Sequence, residues 1–530
     1  MTDARVALAW IALAWMGSIL AVLTLSPATA FDETRYVGVA WEMLQRGDLL
    51  VPHLNGEPYH HKPPLLFWWL HGGWWLFGVN EWWPRVGLAL FSLGTAALTA
   101  WLAHRLWPDR PETRWLAPVI LTSLLLWVIF TPAVMFDVLL AFCVLVGVAG
   151  VVLAAQGQPV AGWLLVAVGI GSGILAKGPV ALLHILPVAV LAPLWLRESG
   201  IWLRWYAGLL AALVGGAAVA LAWAVPAALH GGEAYAEAIF WGQTSGRVVE
   251  SFSHQRPWWW YLPLLPIILF PWLLWLTALR ATGRVLQRPD RGAGMLAVWL
   301  LAVLLGFSAI SGKQLHYLLP LFPGVALLLA RGLSEWQQRE MRIGGLLPAA
   351  VLMAAAALYF WAPMQQEAQG WPPWVRDVPL WLPLIVLALA LACLWPKRQV
   401  RTQLYTLASA SVLLVAVSFQ GILGPAVAWY DVGHQAKLIG SLQREGHPIG
   451  YVGQYRNRFH FQGRLEESVE ELNGREIDDW VEANPNGVLA VEYDDPLPKE
   501  LDPEPLFSGP HRGGWMAIWQ AGDLDKAPRP

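Results

Sequence analysis

Apolar stretches of about 20 residues, each long enough to cross a bilayer as a helix, recur along most of the chain. They begin near residues 6, 84, 115, 134, 160, 179, 205, 259, 293, 315, 344, 378 and 402. Only short polar or proline breaks divide the pairs near 115/134 and 160/179. The pattern predicts about thirteen transmembrane helices. The basic residues between them test that count. With the N-terminus inside, the inner connections hold Arg105, Arg110 and Arg114, then Arg197 and Arg204, then Arg280, Arg284, Arg288 and Arg291. Arg331, Arg339 and Arg342 follow, and finally Lys397, Arg398 and Arg401. Every other connection is therefore basic, the asymmetry that orients membrane proteins. An odd number of crossings leaves the C-terminal region outside.

From about residue 425 the pattern changes. Charges return, and short apolar runs (Ile449–Val452, Gly487–Tyr493, Trp515–Ala521) alternate with helical spacing in Gln435–Arg444 and Ser468–Leu472. This predicts a small soluble α/β domain over 425–530, following a transmembrane domain over 1–424. No solenoid or inverted repeat is visible.

Composition agrees. The 530 residues are 56% hydrophobic and 14% charged, against roughly 25% charged in soluble domains, so lipid has to be part of the solvent. A net charge of −2 gives no sign of a nucleic-acid partner. The 35 tryptophans suit a membrane–water interface, where the ring stays apolar and the N–H stays wet. Cys143 and Cys393 lie far apart in apolar runs, which argues against a disulfide or a zinc site. Residues 6–26 are apolar and precede Ala28-Thr29-Ala30, a signal-peptidase-like sequence. The thin basic flank and the spanning length predict a retained first helix.

The long outer loop, about 31–83, carries most of the candidate chemistry. Asp32–Arg46 has helical spacing with many apolar positions, which reads as a helix lying in the interface. Asp32, Arg35 and Tyr36 fall at i, i+3 and i+4 on one face. Asp32 stands where a helix N-cap would stand, so cap and catalyst are both open. Arg35 suits a snorkelling role as well as phosphate binding, and Tyr36 suits an interfacial anchor. In Tyr59-His60-His61-Lys62-Pro63-Pro64 the prolines fix an extended turn. They hold a cation and two imidazoles just before the chain re-enters the membrane. Adjacent histidines face different ways on a helix or strand, so the pair makes a poor metal site.

These residues resemble a known family. The DETRY opening, the LNG and Y-x-x-KPP segments and their spacing are similar to the aminoarabinose transferases that modify lipid A. Those belong with the protein O-mannosyltransferases in the GT-C class of integral membrane glycosyltransferases. LAKGP, WWWYLP and the K-x-x-x-Y-x-L-P turn near residue 313 extend the likeness over most of the chain. The resemblance implies a mainly α, polytopic GT-C fold and a polyprenyl-phosphate sugar donor. It also implies transfer on the periplasmic side of a bacterial inner membrane to lipid A, another envelope glycan or a protein. It matches Asp32 to the acid at the reaction centre and Asp137 to a second acidic position. Arg35 and Lys62 match the donor-phosphate cations, and Tyr317 the tyrosine of the later turn. Glu33, Tyr59 and His61 join as further candidates from the same motifs. The family's EKPP reads His61-Lys62-Pro63-Pro64 here, so a metal or amino-sugar contact at that acid does not carry over. No cofactor follows; a divalent cation stays open.

A separate argument reaches the same face. Outer connections need few cations, yet they hold Arg35, Lys62, Lys177, Arg247, Arg256 and Lys313. A phosphate on a lipid tail sits at this depth, and cations there stabilise the charge it gains as the glycosidic bond breaks. Lys177 equally suits a helix C-terminus, and Asp137 a structural ion pair. Gln243, Arg247, His254 and Arg256 belong to a loop long enough to act as a lid. The expected chemistry is inverting displacement, with the donor phosphate on Arg35 and Lys62, helped by Lys313 or Arg256, and Asp32 handling the acceptor. The rival is a transporter or flippase of a lipid-linked solute, which calls for midplane charges on broken helices in two related halves.

Overall fold

The computed structural model describes residues 2–24, 31–196, 198, 200–242, 255–336, 344–397, 399–474, 476–498 and 500–526. Among them, nine helices are long and apolar enough to cross a membrane: Ala4–Leu23, Trp83–Leu106, Phe136–Ala155, Pro159–Lys177, Trp202–Trp241, Arg291–Ala309, Leu315–Ser334, Leu346–Gln365 and Val400–Arg444. The other four predicted starts, near 115, 179, 259 and 378, open on shorter pieces. These are Thr113–Leu121 with Leu125–Phe130, Val180–Val190 with Ala192–Leu196, a broken run from Leu262 to Gln287, and Trp381–Leu394. Prolines interrupt the middle of the first three, where a missing N–H and a ring clash break the i to i−4 ladder. Outward faces are apolar, with Leu203, Leu210, Val214 and Leu229 exposed along one helix, as an integral membrane protein requires.

The basic connections gather at one end of the bundle. Arg110 pairs with Glu335 (2.8 Å), Arg331 with Asp290 (2.8 Å) and Arg291 with Glu198 (2.9 Å). Arg401 lines a cavity of about 400 Å³ with Glu112, Ser334 and Trp336. Connections that the arginine pattern assigned to one side thus meet in space. The tryptophans divide differently from expectation. Trp127, Trp272 and Trp299 are fully buried and donate to Ser92 Oγ, Ser123 Oγ and the His184 carbonyl. Each burial is tolerable because the indole N–H keeps a partner.

The long loop folds as α2 (Phe31–Arg46), a short hairpin of β1 (His53–Leu54) and β2 (Glu57–Pro58), and α3 (Leu65–Phe77). The interfacial reading of α2 needs correction. Tyr36, Val37, Val39, Ala40, Trp41 and Met43 are buried against α3, the helix Trp83–Leu106 and Phe461. Protein, not lipid, covers its apolar face. The exposed apolar side chains of the loop lie instead at the end of α3, on Trp75, Leu76 and Phe77.

The C-terminal sheet has five strands: β3 (Ile449–Val452), β4 (Glu470–Leu472), β5 (Val488–Tyr493), β6 (Phe507–His511) and β7 (Gly514–Gln520). Their order is β4-β3-β5-β7-β6. β3 pairs in parallel with β4 and β5, and β7 antiparallel with β5 and β6. The three predicted strands are present, and a helix covers Gly433–Arg444. Ser468–Leu472 is corrected, since its end forms the edge strand β4. Five residues are too few to sustain a helix without packing, and parallel pairing to β3 satisfies their backbone.

Two buried histidines make this region sensitive to acid. Burial lowers His460 from an ordinary 6.5 to about 4. Burial, with Arg458 and Arg512 nearby, lowers His511 to about 3. The unfolded chain therefore binds more protons than the folded one below pH 6.5, so stability falls as pH drops through that window. The slope is roughly 1.4 kcal/mol per pH unit for each imidazole, levelling off near the folded values. Hydrogen exchange of the β3 and β5 amides at pH 7 and pH 4.5 is expected to show the loss.

Candidate active site

The helices Phe136–Ala155 and Pro159–Lys177 run antiparallel in close contact. A Cβ added at Gly162 would lie 2.5 Å from the Ala154 nitrogen, and one at Gly169 2.5 Å from the Gly147 nitrogen. Small residues let the backbones approach this closely. The packing sets the first turn of one helix beside the last turn of the other. Asp137 and Lys177 meet there, Nζ to Oδ1, at 2.5 Å. Each charge also suits its helix end, the acid at an N-terminus and the cation at a C-terminus. The Asp137 side chain is 1% exposed, and among the described residues its Oδ2 has no hydrogen-bond partner. Lys177 lies over the Tyr317 ring (5.0 Å). Lys62 and His316 fall within electrostatic reach of the same carboxylate.

Phe136 links this pair to the long loop. Tyr36 packs edge-on to its ring (4.9 Å), and the Lys62 ammonium lies 5.4 Å from it. Arg35 sits over the Tyr36 ring (5.1 Å) and donates to its hydroxyl (3.4 Å). Tyr59 is buried, edge-on to His61 (5.4 Å), which lies against His60 (4.4 Å). Arg35, Tyr36, Tyr59, His61, Lys62, Asp137, Lys177 and Tyr317 therefore form one connected cluster. It draws on four segments that are distant in sequence. Its charges sit at helix ends and in turns, unlike the midplane arrangement a transporter calls for. Asp32 falls in the first turn of α2, but its side chain lies outside the described residues.

The remaining candidates divide. Lys313 is 3% exposed, and its ammonium donates to the carbonyls of Arg256 (3.1 Å) and Ile310. The Arg256 N–H returns a bond to the Ser311 carbonyl (3.0 Å). Lys313 thus closes one turn over another, while the exposed Arg256 side chain lies 6.0 Å over Trp260. Tyr261 O–H donates to the Gln314 carbonyl (3.1 Å), holding that turn below Tyr317. Glu33 is committed elsewhere. It pairs with the buried Arg85 at 2.6 Å and accepts from the Val134 N–H (2.8 Å). That ties α2 to the strand-like turn just before Asp137. Gln243, Arg247 and His254 lie outside the described residues, as does 243–254 of the loop over 240–257 expected to act as a lid. Among the described residues no three His, Cys, Asp or Glu side chains converge as a metal site.

Phe136 and Glu42 were not singled out from sequence. Nothing local marks Phe136. Glu42 did carry a signal, an acid inside the apolar stretch of α2, which demands a buried partner.

Comparison with known proteins follows the same lines. Residues 5–284, more than half of the chain, match the family profile of dolichyl-phosphate-mannose-protein mannosyltransferases. The undecaprenyl phosphate-alpha-4-amino-4-deoxy-L-arabinose arabinosyl transferase of Erwinia tasmaniensis is 35% identical over 310 residues, 56% of this chain and 54% of that protein. One of two such transferases of Pseudomonas fluorescens is 33% identical over 342 residues, 62% of this chain and 58% of that one. The matches thus span little more than half the length of these relatives. The crystal structure of ArnT from Cupriavidus metallidurans in the apo state superposes with a TM-score of 0.78 at 19% identity, over 100% of both chains. The same protein bound to undecaprenyl phosphate gives 0.76 at 18% identity, over 98% of this chain and 99% of that one. The fold is therefore the GT-C fold of ArnT, and the chain belongs to the dolichyl-phosphate-mannose-protein mannosyltransferase family.

Proposed function

We propose that this protein is an integral membrane glycosyltransferase that moves a sugar from a polyprenyl-phosphate donor to a cell-envelope acceptor such as lipid A. The observation that carries the reading is the gathering of Arg35, Lys62 and Lys177 around Phe136 and Asp137, at the bundle end opposite the basic connections. The names of the relatives in Erwinia and Pseudomonas, and the undecaprenyl phosphate held by the Cupriavidus protein, support the same donor class. By the arginine asymmetry, the basic end faces the cytoplasm of a bacterial inner membrane and the cluster faces the periplasm. Residues 425–530 form a periplasmic domain in this reading, following the transmembrane domain over 1–424.

The chemistry follows from charge. As the anomeric C–O bond to phosphate breaks, its electron pair stays on the departing phosphate. Lys62 offers a point charge and Arg35 a planar fork to that oxygen anion. Their stabilisation grows through the transition state, which is what accelerates the step. Asp32 takes the proton of an acceptor hydroxyl, or orients an acceptor phosphate that is already anionic. Attack opposite the leaving group inverts the anomeric centre. Lys313 and Arg256 close the adjoining turns, and Asp137 fixes Lys177 over the Tyr317 ring.

The test is reconstitution of the full chain in liposomes with an undecaprenyl-phosphate-linked sugar and lipid A. Glycosylated lipid A in the mass spectrum, dependent on the protein, is expected. A chain that neither binds undecaprenyl phosphate nor forms product, yet moves the lipid-linked sugar between leaflets, would overturn the reading in favour of a flippase.

A further inference from the structure

We propose that Glu42 is a positioning residue through which the C-terminal region, by the segment joining β3 to β4, sets the separation of the two first-loop cations, Arg35 and Lys62. The inference rests on the reading that those cations take the donor phosphate. It also gives the C-terminal region a part in transfer.

Glu42 is 6% exposed and joins three pieces of chain. Oε1 accepts from the Asn55 N–H (2.7 Å) and Oε2 from the Gly56 N–H (2.9 Å), the two turn residues of the β1–β2 hairpin. The Asn457 side-chain amide donates to Oε1 from the C-terminal region. The ring of His460 stands nearby, Nε2 3.6 Å from Oε1. The Tyr455 hydroxyl accepts from the Phe459 N–H (3.1 Å) and lies 2.9 Å from His460 Nδ1. With the buried Glu42 carboxylate facing Nε2, the ring hydrogen belongs on Nε2, and Nδ1 accepts from Tyr455.

The same hairpin is gripped a second time. Asn55 Nδ2 donates to the Val469 carbonyl (2.7 Å), and the Val469 N–H donates to Asn55 Oδ1 (2.8 Å). This reciprocal pair sits one residue before β4. Contact is close enough to require glycine at two places on the first-loop side. A Cβ on Gly38 of α2 would lie 2.8 Å from the Asn457 Cβ, and one on Gly56 would lie 2.6 Å from Ser468 Oγ. The Trp41 indole N–H donates to the Leu465 carbonyl (2.8 Å), and Trp74 stacks on Phe461 (5.1 Å, 12°).

Position turns these ties into leverage. Arg35 precedes Glu42 by seven residues, about two helical turns or roughly 10 Å, on the same face of α2. Lys62 follows Gly56 by six residues, with the hairpin closed between them by the Tyr59 N–H donating to the Pro52 carbonyl (2.7 Å). One carboxylate thus fixes both the rotation of the helix that carries Arg35 and the turn from which Lys62 extends. The C-terminal region holds that carboxylate from the other side. Misplacing a catalytic group by about 1 Å costs on the order of 10²-fold in rate.

The experiment compares full-length wild type, Glu42→Gln and Asn55→Gly in proteoliposomes. It measures Kd for undecaprenyl phosphate alone, and KM and kcat for an undecaprenyl-phosphate sugar, per folded protein scored by protease resistance. Glutamine keeps one acceptor but turns an N–H pair toward the Asn457 and hairpin donors. Asn55→Gly cuts the tie between the hairpin and Val469 while leaving the left-handed backbone of that turn residue (φ 54) unstrained. Both variants are expected to weaken Kd at least tenfold and to lower kcat/KM roughly 10–10²-fold. Folded variants with Kd and kcat/KM within twofold of wild type would overturn the proposal, as would a loss confined to the yield of folded protein. Should Glu42→Gln fail to fold, Asn55→Gly decides by the same criteria. A wild type that binds no undecaprenyl phosphate would overturn the functional reading as well, and the wild-type arm alone reveals it.

Discussion

Replacing Lys62 with alanine is expected to lower kcat/KM for a polyprenyl-phosphate sugar by roughly 10²–10³-fold, the scale on which a single preorganised charge at a developing anion acts. Lys62 is held for that purpose by short-range features. Pro63 and Pro64 allow little freedom behind it, and α3 starts directly afterwards at Leu65. Ahead of it the hairpin is closed, and its ammonium lies 5.4 Å from the Phe136 ring, next in sequence to Asp137. Lys62→Arg keeps the charge but spreads it over a planar fork, so an intermediate loss of about tenfold is expected. Steady-state rates in proteoliposomes over a donor series separate these values. If Lys62→Ala turned over within threefold of wild type, the donor phosphate would not rest on this side chain. Asp32→Asn, assayed in parallel, is expected to lose on the order of 10²–10⁴-fold if Asp32 takes a proton from a hydroxyl acceptor. An acceptor that is already anionic predicts a much smaller loss, so the size of the effect reports on the acceptor class.

The fold was legible where local pattern decides the outcome. A span must be apolar for about 20 residues, and a cytosolic connection must hold its cations. Both constraints are written in consecutive residues, so the helix starts and the basic end could be read directly. The long loop was legible in part, because Pro63-Pro64 impose a turn by their own chemistry. What escaped depends on partners remote in sequence. α2 looked like an interfacial helix because nothing near it shows that Phe461, some 400 residues away, covers its apolar face. Ser468–Leu472 looked helical because a five-residue stretch fits two periods equally well. The choice is made by the neighbouring strand β3. Glu33 stood beside Asp32 only as a further candidate, and its buried contact with Arg85 could not be read from the sequence. The structural ion pair open for Asp137 and the helix cap open for Lys177 could not be connected to one another across 40 residues. Their contact is set by glycines that bring two helices together.

That contact leads to the second large effect. Lys177→Met leaves the Asp137 carboxylate, 1% exposed, without its partner. Breaking one side of a buried ion pair costs about 3–5 kcal/mol. The single variant is therefore expected to lose much of its thermal stability in detergent. The double variant Asp137→Asn with Lys177→Met removes both charges, and replacing a buried pair by neutral groups is often close to neutral in stability. Its unfolding midpoint is expected to return to near the wild-type value. Turnover is where the two roles part. A pair that only joins helix ends would let the double variant recover activity along with stability. In the arrangement described here, the pair holds an ammonium 5.0 Å over the Tyr317 ring and close to Lys62. Removing that cation takes positive charge from the place where the phosphate becomes more negative, so the double variant is expected to fold normally and still fall at least tenfold in kcat. Measuring midpoint and kcat on the same three proteins gives the answer directly. Restored stability without restored turnover assigns the pair to the reaction, and restoration of both assigns it to the scaffold.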